Sequence, residues 1–404
     1  MNKSTFFSGQ PIFTQLLKLL PRKIIAQSSL EFSSDRYYKK FDTYHHLITM
    51  LYACYQQCTS IREVTSGLQA CQGRLQSLGL RHLTTRSTLS DANKNRSYRV
   101  FENIYNKLYY RYRDFLPDSP KNIHDKNLII IDSTTISLFK EILEGAGMRG
   151  NSGKKKGGIK VHTAMYAHED VPYFIDMTKA SQADVTFLKK LEIPEHSIVV
   201  MDRGYNNFNK LHDWSNENID WVTRRREKYV IEVKKYNKVT VEQKAQGIIS
   251  DKIIVMGTKN KIIQQVNCRL IRYYDKEKNR EFEFITNNFE WDALKVAELY
   301  KQRWQIELLF KRLKQNMPLQ YFLGDNENAI KIQIYCALIA DLILKMALSG
   351  VKRRWAFSNI TSIVRLHLMN YTHLYKFLEN PDKCRISNPI ASVQEPQLKL
   401  FLSG

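Results

Sequence analysis

NLIIIDSTTISLF, from Asn127 to Phe139, is where the chain changes character. A β-branched apolar run of this length predicts a buried strand that emerges at Asp132. Two further segments, IKVHTAMYA and VPYFIDMT, read as an antiparallel hairpin turning at His168 to Asp170. The helix ADVTFLKKLEI follows, and then HSIVVMDRGY, a second short buried strand that ends at Asp202 before a glycine turn and another helix. Strand, strand, strand, helix, strand, helix is the order of a mixed α/β sheet. It places Asp132 and Asp202 at the ends of apolar strands, where sites on such sheets form.

Further along, WVTRR, YVIEV, KIIVMG, CRLIRYY and EFEFITN supply more strand than a simple crossover needs. They predict an inserted β subdomain over residues 206–284, with the α/β core divided into 125–205 and 285–348. The core then closes with AELYKQRWQIELLFKRLK, Ala297 to Lys314, which reads as one amphipathic helix. At about 100° per residue, Tyr300, Arg303, Glu307 and Lys314 share an arc of roughly 60°, while Leu299, Ile306, Phe310 and Leu313 form an adjacent apolar stripe. Taken alone, Glu307 could equally be part of an ordinary surface pattern with Arg303 and Lys311.

Upstream, residues 1–115 are helical in pattern, with Thr59/Ser60 and Ser97 as N-cap candidates. Within them a short polar helix carries Thr88, Ser90, Asn93, Lys94, Asn95 and Arg96. It reads as the recognition helix of a helix-turn-helix or as a capped surface helix between two bundle helices. Residues 349–404 read as helical fragments followed by a polar, Pro-containing tail.

The balance of 62 Lys+Arg against 40 Asp+Glu gives a formal charge of +22, which makes a polyanion the first partner to expect. Nucleic acid suits it better than a membrane surface, because the basic residues run through most of the chain and are interleaved with 22 tyrosines and 19 phenylalanines. At 43% hydrophobic the chain can bury a sizeable core, and its length suits about two to four structural units. Six cysteines without metal-site spacing read as free thiols in a reducing cytoplasm. The N-terminal apolar runs, broken by Pro11, Lys18, Pro21 and Arg22, do not make a secretory signal. Ile330 to Leu348, which contains Lys331, Gln333, Asp341 and Lys345, reads as a core helix rather than a membrane span.

Asp132, Asp202 and Glu307 are thus three widely separated carboxylates, each placed to point into one site. Such a trio can hold two divalent ions, and hard oxygen ligands select Mg²⁺ or Mn²⁺. Two such ions can activate a water or 3′-hydroxyl for in-line phosphoryl displacement. Each aspartate also has a plainer reading, Asp132 as an Asx-turn or cap residue in DSTT and Asp202 as a turn residue in DRGY. Asp176 in YFIDMT is a rival carboxylate, but it lies mid-strand. The connection GNSGKKKGGIKVH brings Lys154, Lys155 and Lys156, which either track a DNA backbone or sit on a surface loop. His162 in it reads as a strand residue.

IDSTT around Asp132, MDRGY around Asp202, and the spacing of Tyr300, Arg303, Glu307 and Lys314 resemble the signature regions of DDE transposases of the insertion-sequence-four family. The resemblance runs over roughly residues 125–345. It implies a ribonuclease-H-like catalytic core, a mixed sheet flanked by helices, with an inserted β subdomain and an N-terminal helical DNA-binding region. It implies cut-and-paste transposition of a bacterial insertion sequence, in which a homodimer binds the element's terminal inverted repeats on double-stranded DNA, cleaves, and transfers strands to target DNA in the cytoplasm. Asp132, Asp202 and Glu307 would bind two Mg²⁺ ions, with Mn²⁺ as a substitute. Tyr300, Arg303 and Lys314 would hold phosphates of the element's end, and Trp304 would stand near an extruded base, with Trp291 or Trp221 as a possible second stacking ring. The competing expectations are a DNA-binding protein without catalysis, or a structure-selective nuclease on the same fold.

Overall fold

Proline opens the first two helices, Pro11 before α1 (Ile12–Leu17) and Pro21 before α2 (Arg22–Glu31), where a missing N–H costs nothing. The next four start on side-chain caps. Asp42 heads α3 (Thr43–Gln56), Ser60 heads α4 (Ile61–Ala70), Thr85 heads α5 (Arg86–Asn95) and Ser97 heads α6 (Tyr98–Tyr112). The computed structural model describes residues 9–116, 127–137, 148–149, 155–156, 158–257 and 265–381.

Beyond these helices runs a nine-stranded sheet. β1 (Leu128–Ser137) is followed by β2 (Met148–Arg149) and β3 (Lys155–Lys156), which among the described residues pair with each other. β4 (Gly158–Tyr166) and β5 (Val171–Lys179) form the expected antiparallel hairpin, and β4 lies antiparallel to β1. After the short α7 (Val185–Leu188), β6 (Ile198–Met201) pairs parallel with β1. α8 (Phe208–Asn216) then crosses to β7 (Asp220–Arg224), parallel to β6. The order β5-β4-β1-β6-β7, three antiparallel strands and then two parallel ones, is that of a ribonuclease-H-like core. Parallel strands must be covered on both faces. β1 meets this by alternation, with Leu128 and Ile130 in one hydrophobic core and Ile129 and Ile131 in the other.

The remaining strands correct the expected domain boundary. β8 (Val230–Tyr236) precedes the short α9 (Val241–Ala245), and β9 (Ile248–Gly257), β10 (Val266–Asp275) and β11 (Arg280–Thr286) follow it. They extend the core sheet instead of forming a second sheet. β11 pairs antiparallel with β7, Phe284 opposite Arg224, so the sheet continues as β7-β11-β10-β9-β8. α8 and β7, which the boundary at residue 206 would give to the insertion, belong to the core because β7 takes its register from β6, Ile198 opposite Asp220.

The long amphipathic helix is also two. α10 (Ala293–Gln302) starts on the Asp292 cap, α11 (Trp304–Asn316) follows, and Arg303 stands at the break between them. There Arg303 N–H bonds to Tyr300 C=O and Ile306 N–H to Arg303 C=O, tighter three-residue spacings than an α-helix uses. α12 (Glu327–Ser349) is the apolar helix expected to be core. It is long and apolar enough to cross a membrane, but it lies buried against α3, α5 and α6. Tyr55 donates to Ala340 C=O at 3.1 Å, and Tyr335 to Glu102 at 2.7 Å. The N-terminal helices therefore share one continuous core with a face of the sheet.

α13 (Phe357–His367) and α14 (Leu374–Glu379) return to the start of the chain. Ile12 N–H donates to Asn370 C=O and Phe13 N–H to Leu368 C=O. Most of the expected polar tail lies outside the described residues. The five described cysteines are free.

Candidate active site

The two aspartates meet where two strands part. β1 and β6 run in parallel register up to Ile131 opposite Met201, and the next residues are Asp132 and Asp202. Asp132 is not at a strand end, because β1 continues through Ser137 on its β4 side. It is β6 that stops. Asp202 leaves the sheet and caps the turn Arg203–Tyr205, accepting from Gly204 N–H at 3.2 Å. That turn needs its glycine, since a Cβ at Gly204 would stand 2.7 Å from an Asp184 carboxylate oxygen.

α11 lies against β1 and brings Glu307 to the same place. Arg303 ties the pieces together, one guanidinium nitrogen donating to Asp132 and the other to Glu307. Arg224, at the end of β7, donates to Asp202 at 2.8 Å. Lys314 donates to Thr134 Oγ1 at 2.6 Å and Thr135 C=O at 3.2 Å. These side chains line a cleft of about 630 Å³.

The two aspartates are perturbed in opposite directions. Burial pushes the Asp132 carboxyl up to about 6; Arg303 and the Ser133 N–H oppose this, and the neighbouring Asp202 and Glu307 charges reinforce it. For Asp202 burial also acts upward, but the Arg224 hydrogen bond and the Gly204 N–H outweigh it and hold the carboxyl below its usual range. Burial draws Lys314 below its usual value. Three carboxylates that repel one another, offering only hard oxygen donors on an open cleft, fit a hard divalent cation. Among the described residues they are not drawn into a tight metal-ligand cluster, because Arg303 stands between Asp132 and Glu307. The Nε atoms of Arg224 and Arg303 are buried without a hydrogen-bond acceptor.

Other expected residues fall differently. Tyr300 does not line the carboxylate cleft; it is buried, its ring 4.8 Å from that of Phe284 and beneath the guanidinium groups of Arg224 and Arg303. Trp304 is half exposed at the rim of a second cleft of about 310 Å³, which Tyr273, Phe282 and Lys278 also line. Trp221 is fully buried against α8, and Trp291 is not among the residues of that cleft; the rings that line it with Trp304 are Tyr273, Phe282, Phe284 and Tyr300. Asp176 is paired with Lys190 at 2.8 Å.

The N-terminal expectation needs correction. Asn93 is buried, holding His46 at 2.7 Å and donating to Leu323 C=O at 3.0 Å. Arg96 is buried too, donating to Phe41 C=O at 2.7 Å and stacked on Tyr38. Both face inward because their partners are supplied from distant parts of the chain. Lys94 is exposed. Lys155 and Lys156 form β3, with side chains outside the described residues, and Lys154 lies wholly outside them.

Two groups escaped the sequence reading. Arg224 showed only as the first of three arginines after the apolar WVT. His162, fully buried and opposite Ser133 in the sheet, bonds Tyr205 Oη in the Asp202 turn and Thr178 Oγ1, each at 2.9 Å. Burial draws the His162 imidazole down to about 4, so it stays neutral.

Comparison with known proteins is consistent with this geometry. The family described as "Transposase DDE domain" matches residues 123–342, and a "Domain of unknown function (DUF4372)" matches residues 8–81. A putative transposase for insertion sequence element IS4SA from Synechocystis is 31% identical over 271 residues, 64% of this chain and 71% of that protein. The putative transposase y4zB of Sinorhizobium fredii is 27% identical over 260 residues, 64% and 70% of the two chains. A cryo-EM structure of a piggyBac transposase synaptic complex with hairpin DNA aligns at a TM-score of 0.39 and 12% identity, over 94% of this chain and 81% of that one.

Proposed function

The chain belongs to the transposase DDE-domain family, DNA-cleaving and strand-transferring enzymes that need a divalent metal, and we propose that Asp132, Asp202 and Glu307 are its metal ligands. The observation that carries this is the register of β1 and β6, which sets the two aspartates side by side, with Glu307 joined to them through Arg303. Two Mg²⁺ ions bound there would activate the attacking water or 3′-hydroxyl and stabilise the leaving oxygen, with Mn²⁺ as a substitute. Arg224, Arg303 and Lys314 hold phosphates of the DNA end. Arg303 has two states in this reading. It neutralises Asp132 and Glu307 in the free enzyme, and turns to a phosphate once those carboxylates are otherwise engaged. Tyr300 lies beneath both arginines, lines the Trp304 cleft and joins them at the phosphates of the DNA end. Trp304, with Phe282 or Tyr273, receives an extruded base by stacking.

The DNA is double-stranded and bears the element's terminal inverted repeats, and two copies of the chain hold its two ends in the cytoplasm. Incubating the full chain with a fragment carrying those repeats and Mg²⁺ gives cleavage at the ends in this reading. Equal cleavage by wild type and Asp202→Ala would remove the assignment. Cleavage of branched DNA with no preference for ends would replace transposition by a structure-selective nuclease. The reading without catalysis loses its main support, since Asn93 and Arg96 face the interior.

A further inference from the structure

A second polar cleft, of about 370 Å³, opens on the N-terminal helices and shares no residue with the carboxylate cleft. α2, the loop leading into α3, and residues 79–82 form it. Its exposed basic residues are Arg22, Lys39, Lys40, Arg81 and His82, while His45, which also lines it, is buried and paired with Asp42. Its two acids are already engaged. Asp35 accepts from Thr43 N–H at 2.7 Å, from Thr43 Oγ1 at 2.9 Å and from Ser29, and pairs with Arg96. Asp42 caps α3 through His45 N–H at 2.8 Å. Among the described residues no carboxylate pairs with Arg22, Lys39, Lys40, Arg81 or His82.

Arg22 is held in place. Its guanidinium stacks 4.6 Å from the Tyr44 ring centre and donates to Tyr44 Oη at 3.3 Å, and that hydroxyl in turn donates to Leu78 C=O at 2.7 Å. Gly79 makes the room, because a Cβ there would stand 2.1 Å from an Arg22 nitrogen. Its φ of +73° suits glycine for the same position. Beside the cleft, Tyr37 projects with 82% of its surface exposed. A preorganised arginine, four more basic side chains and an exposed aromatic ring match a nucleic-acid backbone better than a single small anion.

We propose that this cleft seats the phosphodiester backbone of duplex DNA, and that it, rather than the polar face of α5, is the DNA contact of the N-terminal region. The choice of polyanion rests on the reading of the chain as a DNA transposase; the site itself rests on the cleft. The test uses the full chain without metal and a labelled duplex of about 30 base pairs with no element end, read by fluorescence anisotropy between about 50 and 200 mM salt. The triple variant Arg22→Gln/Lys39→Gln/Lys40→Gln keeps the wild-type circular dichroism spectrum, which shows that it folds. Its log K falls with log salt less steeply, by about 2 to 3 in slope, since each lost phosphate contact removes about 0.9. A slope and affinity equal to wild type overturn the proposal. So does a loss carried instead by Ser87→Ala/Lys94→Gln on α5. With no metal and no end in the probe, a failure of end cleavage would count against the catalytic assignment and leave this result standing.

Discussion

Arg312 gives the sharpest energetic test, because it fastens the helix that carries Glu307. It reaches from α11 to Asp341 on α12, with Nε and one terminal nitrogen at 3.1 and 3.2 Å from the carboxylate, and to Asp170 in the β4–β5 turn. The Asp341 side chain is 2% exposed and that of Arg312 13%, so solvent screens the pair little. Asp170 keeps Lys345 at 2.8 Å if Arg312 is lost, whereas Asp341 has no other side-chain donor among the described residues. Arg312→Met therefore leaves one buried, uncompensated carboxylate and costs about 3 to 5 kcal/mol. Adding Asp341→Asn removes that charge and restores more than half, a coupling of about 2 kcal/mol in a double-mutant cycle. Urea midpoints at constant m give the values. End cleavage should follow the same order, weakened in the single variant and partly recovered in the double. A single variant that loses under about 1 kcal/mol, or a double variant that shows simple additivity, would refute the account.

Glu307→Gln should abolish end cleavage and leave DNA binding near wild type, while Arg303→Ala should weaken both; gel shift and cleavage on the same substrate separate them. Asp132 titrates near 6 in the free fold against 3.8 for an ordinary aspartate, so the folded state holds its proton longer and stability falls as pH rises from about 4 to 6. Metal must displace that proton, so Mn²⁺ affinity should climb through pH 6 and level off above 7, with proton release visible by calorimetry in buffers of different ionisation heat. Gly204→Ala drives a methyl against Asp184 and should cost about 1 to 3 kcal/mol and lower Mn²⁺ affinity by moving the Asp202 turn; an unchanged melting midpoint would show that the turn yields freely.

Much of the core was legible because its strands are continuous apolar runs. LIII in β1 and IVVM in β6 read as buried strands, and both aspartates follow such a run. What could not be read was pairing. WVTRR has the same composition whether it closes the core or opens an insertion, and only its register with β6 decides. Asp132 read as a strand end because DSTT is polar, but pairing with β4 carries β1 past it. The break at Arg303 has no proline or glycine to announce it. Asn93 and Arg96 have residue types suited to DNA, and their interior partners Leu323 and Phe41 lie 230 and 55 positions away. Local pattern cannot see contacts of that separation.

The bonds from Ile12 and Phe13 to Asn370 and Leu368 carry a consequence for synthesis. α3, α5 and α6 complete their core on α12, and α1 is secured by residues near 370. At about 5 to 20 residues per second, the first helices wait on the order of 20 to 70 seconds for these partners to leave the ribosome. A chain interrupted before residue 327 would carry both strand-borne aspartates and Glu307 yet lack the helix that packs its N-terminal half. Such premature products would leave the apolar faces of α3, α5 and α6 without the helix that covers them.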